Sequence, residues 1–230
     1  MSPGTGWRAA LDVRSWVGEA WVGDANDGII ATAGLLEGLA GAGASDAVLV
    51  LAATVGTIAG GLGVAGARWA EAAAEREAEA AVIAEERAQL AAAPDDELAE
   101  LAAYWEDKGL TPDVARQVAE QLSARDALAA QLAYEHGITA PTAPSAPVGA
   151  GLAAGLAFLA GAMVPLLITV SVPVSVESWL ILVAVVLSLL LTSVVAARQG
   201  HLSVVRTIVR TLVVGVGTLA VSYGAGLLLW

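Results

Sequence analysis

Long uncharged runs and one long polar stretch alternate along this chain, and the runs have the length of membrane spans. A helix needs about 20 residues to cross about 30 Å of hydrocarbon. Five stretches fit: Gly28 to Ser45, interrupted only by Glu37; Ala47 to Ala67; about Val148 to Val170; Ser178 to Ala197; and about Thr207 to Trp230. Asp46 sits in the tight link between the first two, and Pro173 marks a short turn between the third and fourth. No charge occurs from Gly137 to Val176, but Pro141, Pro144 and Pro147 break the start of that run, so the third helix is expected after them. The first 27 residues carry Asp12, Glu19, Asp24 and Asp27 and no apolar core, unlike a cleavable signal peptide.

The polar stretch, residues 70–147, has helical punctuation. Ala70 to Ala92 is rich in Ala and Glu without Gly or Pro, which predicts a long helix continuing out of the second span. Pro94 and Asp95 stop it and restart another. Asp96 to Lys108 and Pro112 to His136 read as two further helices, with Gly109 as a C-terminal cap, Thr111 as N-cap and Pro112 at the first helical position. The expected fold is all-α: a polytopic membrane protein with five transmembrane helices and a cytoplasmic three-helix insert. Its parts are an interfacial amphipathic helix (1–26), spans one and two (27–69), the insert (70–147) and spans three to five (148–230). Trp7, Trp16 and Trp21 beside Arg8 and Arg14 suit an interfacial helix that anchors span one to lipid.

Composition agrees with this division. Of 230 residues, 57% are hydrophobic and only 15% charged, against about a quarter charged in soluble domains, and the mean hydropathy is +0.70. The formal charge is −12, yet the insert holds 16 of the 23 acids against five bases, a net −11. All eleven Lys and Arg fall on one side of the predicted topology. By the positive-inside tendency the N-terminus and insert are cytoplasmic and Trp230 ends on the opposite side. Cysteine is absent, and the two histidines, His136 and His201, stand alone in the sequence, so no hydrolytic or redox enzyme is suggested. No basic patch points to nucleic acid.

Candidate chemistry lies with the acids. Glu75, Glu79 and Glu86 recur at i, i+4 and i+11, and Glu97 and Glu100 are three apart, so each set shares a helix face. Like charges so spaced repel, and a divalent cation between them would relieve this; the alternative is a simply solvated acidic face. Hard oxygen ligands suit Mg²⁺, Ca²⁺, Mn²⁺ and, less exclusively, Fe²⁺. Glu37 is an acid within a span, expensive by about 2.5–3.5 kcal/mol. It is either a proton or metal group, or a protonated carboxyl bonded to Ser or Thr on a neighbouring helix. Asp24 and Asp27, one turn apart at the mouth of span one, either pass an ion or cap the helix. Met163 is either a soft ligand or a gap filler. Gly61-Leu-Gly-Val-Ala-Gly66 fits G-x-G-x-x-G but lies inside an uncharged span, where small residues serve helix contact.

The run from Asp24-Ala-Asn-Asp27-Gly28 to Ala42 resembles the first transmembrane helix of the vacuolar iron transporter family, notably its bacterial members with an Asp-Gly followed by small and apolar residues. Arg76 to Glu100 looks like that family's acidic metal-binding helices. Residues 109–122 and 126–130 look like its third cytoplasmic helix, Phe158 to Leu167 like its third span, and Thr218 to Gly226 like its last. The resemblance covers roughly residues 15 to 228. It implies a homodimer of five-helix subunits in the bacterial plasma membrane that exports Fe²⁺ or Mn²⁺ from the cytoplasm in exchange for protons, needs no cofactor, and collects the ion on its insert. Matched position by position, the insert carboxylates are Glu79, Glu86, Glu97, Glu100 and Glu135, and the acid at the mouth is Asp27. Where bacterial relatives commonly read Met-x-x-Gly-Glu-Tyr at the end of span two, this chain reads Val64-Ala-Gly-Ala-Arg68-Trp69, which removes a soft ligand and a carboxylate and places an arginine near the cation path. Gln89 likewise stands where a Glu is frequent. A non-transporting metal sensor or buffer with the same fold is therefore the alternative expectation.

Overall fold

A computed structural model describes residues 6–172, 174–199 and 203–229, with side chains from residue 21 onward except at 174, 175, 196 and 199. Expectations for the Trp7, Arg8, Arg14 and Trp16 side chains, Pro173, His201 and Trp230 lie outside the described residues. Seven helices and no strand are present among those described: α1 (Gly6–Gly41), α2 (Asp46–Ala92), α3 (Pro94–Asp107), α4 (Pro112–Glu135), α5 (Ala146–Ser171), α6 (Val174–Gln199) and α7 (Val204–Leu229). The chain divides into two compact units, one made of the residues up to Ala70 with those from Val148 on, the other Glu71–Pro147.

In the first unit α1 packs on α7 and α6, and α6 packs on α7. Ile29, Ala33 and Leu36 of α1 meet Leu49 and Ala53 of α2, Ile181, Val185 and Leu189 of α6 and Leu219 of α7 in one core. Among the described residues four helices are long and apolar enough to cross a membrane: α2, α5, α6 through Val176–Val195, and α7. Their outward faces are lined with large apolar side chains, as in the stripe Leu51, Val55, Ile58 and Leu62 on α2. Lipid is the solvent that suits such a surface. The helix bearing the first predicted span is not among the four, since its last eighteen residues, 24–41, hold Asp24, Asp27 and Glu37. Its polarity has a structural reason: Asp24, Thr32 and Glu37 are all buried within the unit. Residues 6–41 form one unbroken helix, so no turn separates the N-terminal segment from the predicted span.

Close helix contact in this unit relies on missing side chains. A Cβ on Gly28 would strike the carbonyl of Phe158, one on Gly161 that of Ala25, and one on Gly226 that of Gly38.

The second unit holds the end of α2 with α3 and α4. Leu101 and Ala102 pack against Ala119 and Ala130, flanked by Leu98, Trp105, Leu122 and Tyr134. Pro94 opens α3 directly after α2 ends, and Gly109, at φ +97°, turns the chain out of α3. Thr111 occupies the N-cap position of α4 in extended conformation, but its side chain makes no capping hydrogen bond; Pro112 follows as predicted.

Candidate functional site

The second unit gathers five side chains with available lone pairs. Glu86 comes from α2, Glu97 and Glu100 from α3, Glu135 from the last position of α4, and His136 from its C-cap. They form two groups of three that share Glu135: Glu86 with Glu135 and His136, and Glu97 with Glu100 and Glu135. In each group one donor atom per residue lies within 4.8 Å of the others.

Local features of α4 bring its end to the acids of α2 and α3. At Asp126 the backbone is extended (φ −166°, ψ 97°), which kinks the helix. Asp126 Oδ1 accepts the Ala129 N–H at 3.0 Å and so restarts it with a new N-cap. Beyond the kink, Gln131 Nε2 donates to the backbone oxygen of Glu97 at 2.6 Å and to its carboxylate at 3.1 Å. Tyr134 packs against Trp105 and Tyr104, with ring centroids 4.9 and 5.4 Å away. Gly137, at φ +69°, then turns the chain so that the Ile138 N–H reaches Leu132 O at 2.8 Å.

Electrostatically the cluster is short of positive charge. Glu86 is only 1% exposed, and its Oε1 accepts no hydrogen bond among the described residues. Its Oε2 lies 3.5 Å from His136 Nε2, and Glu135 Oε2 lies 3.8 Å from the same nitrogen. Burial first, then the charges of Glu135 and Glu97, push the Glu86 carboxyl above the usual carboxylate range, against the opposing pull of His136. Burial and the charges of Glu100 and Glu97 push Glu135 the same way, again opposed by His136. Four carboxylates facing one imidazole are an arrangement that a divalent cation would stabilise.

A second polar site lies in the first unit. Asp24, 2% exposed, accepts from Arg68 Nη2 at 3.1 Å and from Arg68 Nε at 3.4 Å, both on Oδ1. Asn26 Nδ2 donates to Thr192 Oγ1 of α6 at 2.8 Å. Asp27 lies one turn after Asp24 and within electrostatic reach of it and of Arg68.

The sequence profile described as the VIT family matches residues 19–227. The chain belongs to the VIT family. A vacuolar iron transporter of Acanthamoeba castellanii (strain ATCC 30010 / Neff) is 31% identical to it over 166 residues, which cover 72% of this chain and 60% of that protein. The match thus spans less than two thirds of the relative's length.

In this VIT-family chain the structure sorts the acids expected from sequence. Glu86, Glu97, Glu100 and Glu135 come together. Glu79 is instead engaged by Thr142, whose N–H donates at 2.7 Å and whose hydroxyl also donates to it, and Glu75 belongs to neither group. Asp24 is held by Arg68 rather than standing as a simple cap. Glu37 is buried, near Ser178 and Glu177 at the start of α6. It lies thirteen residues after Asp24, about 20 Å along a helix axis, so the two acids stand at different levels of α1. Met163 lies on α5, 40% exposed. His136, isolated in the sequence, is corrected to a member of the cluster. Its only local signal was a position next to Glu135 and before a glycine.

Proposed function

We propose that this chain is a proton-coupled transporter of divalent metal, Fe²⁺ or Mn²⁺, that exports the ion from the cytoplasm. One observation carries the reading: Glu86, Glu97, Glu100 and Glu135 converge from three helices, with a buried Glu86 oxygen left without a donor. Removing a carboxylate from water without a partner is costly, and a bound cation offsets that cost. The family and the name of the amoebal relative support the same reading. In it, Glu71–Pro147 collects the ion on the cytoplasmic side, α1 serves as a fifth span, and Asp24 and Asp27 receive the ion at the mouth of that span. Protons and metal compete for the same carboxylates, which is the chemistry that exchange requires. The distribution of Lys and Arg supports a cytoplasmic N-terminus and collector. Two copies would form the working unit, their lipid-exposed faces supplying the contact.

A second reading has its own support. The Arg68 guanidinium occupies the position that a cation would take beside Asp24. A chain so blocked would bind metal on its collector without moving it, as a membrane sensor or buffer.

Uptake of Mn²⁺ and Fe²⁺ into proteoliposomes with an imposed proton gradient, wild type against Asp27→Ala, separates the two. Flux that needs both the gradient and Asp27 is the expected result. Absence of flux for either ion, with metal still bound by the full-length protein in detergent, would replace transport by the sensor reading.

A further inference from the structure

We infer that His136 is a nitrogen ligand of the collector and sets which divalent ions it prefers. This rests on the reading of Glu71–Pro147 as a metal-binding unit and goes beyond its carboxylates.

The geometry points to shared coordination rather than a plain ion pair. His136 Nε2 stands 3.5 Å from Glu86 Oε2 and 3.8 Å from Glu135 Oε2, both long for a charge-assisted hydrogen bond. Donors about 2.1 Å from one ion are separated by about 3.0 Å at octahedral and about 3.4 Å at tetrahedral angles. The observed spacings exceed the tetrahedral value by about 0.1 and 0.4 Å and the octahedral value by about 0.5 and 0.8 Å, so they are nearer the tetrahedral one. Independent support comes from Glu86, whose second oxygen is buried and unpartnered at the same place. The imidazole is also accessible, at 37% side-chain exposure, so an ion can reach it. Its position is held from both sides, by the Gln131 contact to Glu97 five residues before it and by the Gly137 turn after it.

Chemistry then divides the cluster. Glu97, Glu100 and Glu135 are an all-oxygen set, which suits Mg²⁺, Ca²⁺ and Mn²⁺ alike. Glu86, Glu135 and His136 mix oxygen with imidazole nitrogen, which suits Fe²⁺, Co²⁺ and Zn²⁺ and is a poor site for Mg²⁺. Magnesium would compete strongly for carboxylates alone, and one nitrogen donor is enough to tilt the choice toward the later transition metals.

The test uses full-length protein in detergent, with Co²⁺, Mn²⁺ and Mg²⁺ as probes, comparing wild type with His136→Gln and His136→Glu. Co²⁺ affinity is expected to fall at least about tenfold in both variants, while Mg²⁺ competes more effectively in His136→Glu than in wild type. Pulsed electron paramagnetic resonance of bound Mn²⁺ should show imidazole nitrogen coupling in wild type and none in either variant. Metal bound by wild type without nitrogen coupling, or equal loss of all three ions in His136→Gln, would overturn the role of His136 and leave the carboxylate collector standing. Failure of wild type to bind any of the ions would instead overturn the collector reading, and this inference with it.

Discussion

Arg68 and Asp24, 44 residues apart in the chain, meet in a two-pronged contact in which Nη2 and Nε of the guanidinium both donate to one carboxylate oxygen. The carboxylate side is buried and the arginine side is 44% exposed, so the pair is neither a surface bridge nor a fully desolvated one. Loss of the arginine would leave a buried carboxylate without this partner, a cost of about 1–3 kcal/mol after allowance for solvent on the guanidinium side. Arg68→Gln is therefore expected to lower the thermal midpoint in detergent, and adding Asp24→Asn to recover most of the loss. If Asp24 receives cargo as proposed, the same change acts in the opposite sense on transport, because a tethered cation no longer competes there. The metal concentration for half-maximal flux in proteoliposomes should fall in Arg68→Gln. An unchanged value would make Arg68 a structural partner only.

Glu37 sits about 20 Å further along α1 than Asp24, buried and near Ser178 and Glu177 of α6. It is a buried acid within the predicted first span, where a carboxyl is expensive unless it serves a proton or a cation. Glu37→Gln keeps the size but fixes the group in a neutral state. Flux in this variant is expected to lose part of its dependence on the pH of the far compartment. If the pH profile is that of wild type, Glu37 has no part in coupling and is a structural carboxyl only.

The carboxylate cluster of Glu71–Pro147 has a pH response of definite sign. Glu86 and Glu135 both hold protons more tightly in the folded protein than an unstrained carboxyl near 4.5, chiefly because of burial. Their contribution to stability is thus fully present below the ordinary carboxylate range and is lost as pH rises through the raised values. Without metal, amide exchange across residues 94–135 should quicken as pH is raised toward neutral, once corrected for the intrinsic rate. Metal requires the deprotonated groups, so its protection of the same amides should grow over that window and its binding should release protons. Equal protection by metal at acidic and neutral pH would contradict the assignment of these two acids as ligands.

Legibility of the molecule from its sequence follows from what each part is exposed to. Helices α2, α5, α6 and α7 face outward with apolar side chains, so their spans are written as uncharged runs. On the first helix the neighbours bury the face that bears Asp24 and Glu37, which permits acids there, and with the exposed Asp27 they obscure the same signal. Within the insert, the three-residue spacing of Glu97 and Glu100 survives in the structure because one short helix presents both. Glu79 and Glu86 sit on a common face by spacing alone, yet Thr142 takes the first and the cluster takes the second. Helical periodicity places residues around an axis but does not say what arrives from elsewhere. His136 depends on such an arrival, for its position follows from the kink at Asp126 and the hold of Gln131 on Glu97.

The tightest packing in the first unit supplies the remaining test. Gly28 and Gly161 let α1 and α5 approach until a Cβ on either would strike a backbone carbonyl, of Phe158 or of Ala25 respectively. Backbone cannot rotate away as a side-chain tip can, so Gly161→Ala forces the helices apart and should cost about 1–3 kcal/mol. Gly149 on the same helix has nothing within 4 Å of its would-be Cβ. There the alanine reduces only the freedom of the unfolded chain and improves helix propensity, so Gly149→Ala should be neutral or slightly stabilising. Thermal unfolding in one detergent, followed by size-exclusion recovery, compares the two. Parts of α1 bearing Asp24 and Asp27 adjoin the Gly161 contact, so Gly161→Ala should also reduce flux beyond its loss of folded protein. Equal midpoints for the two variants would show that α1 and α5 are not pressed together as the glycines imply.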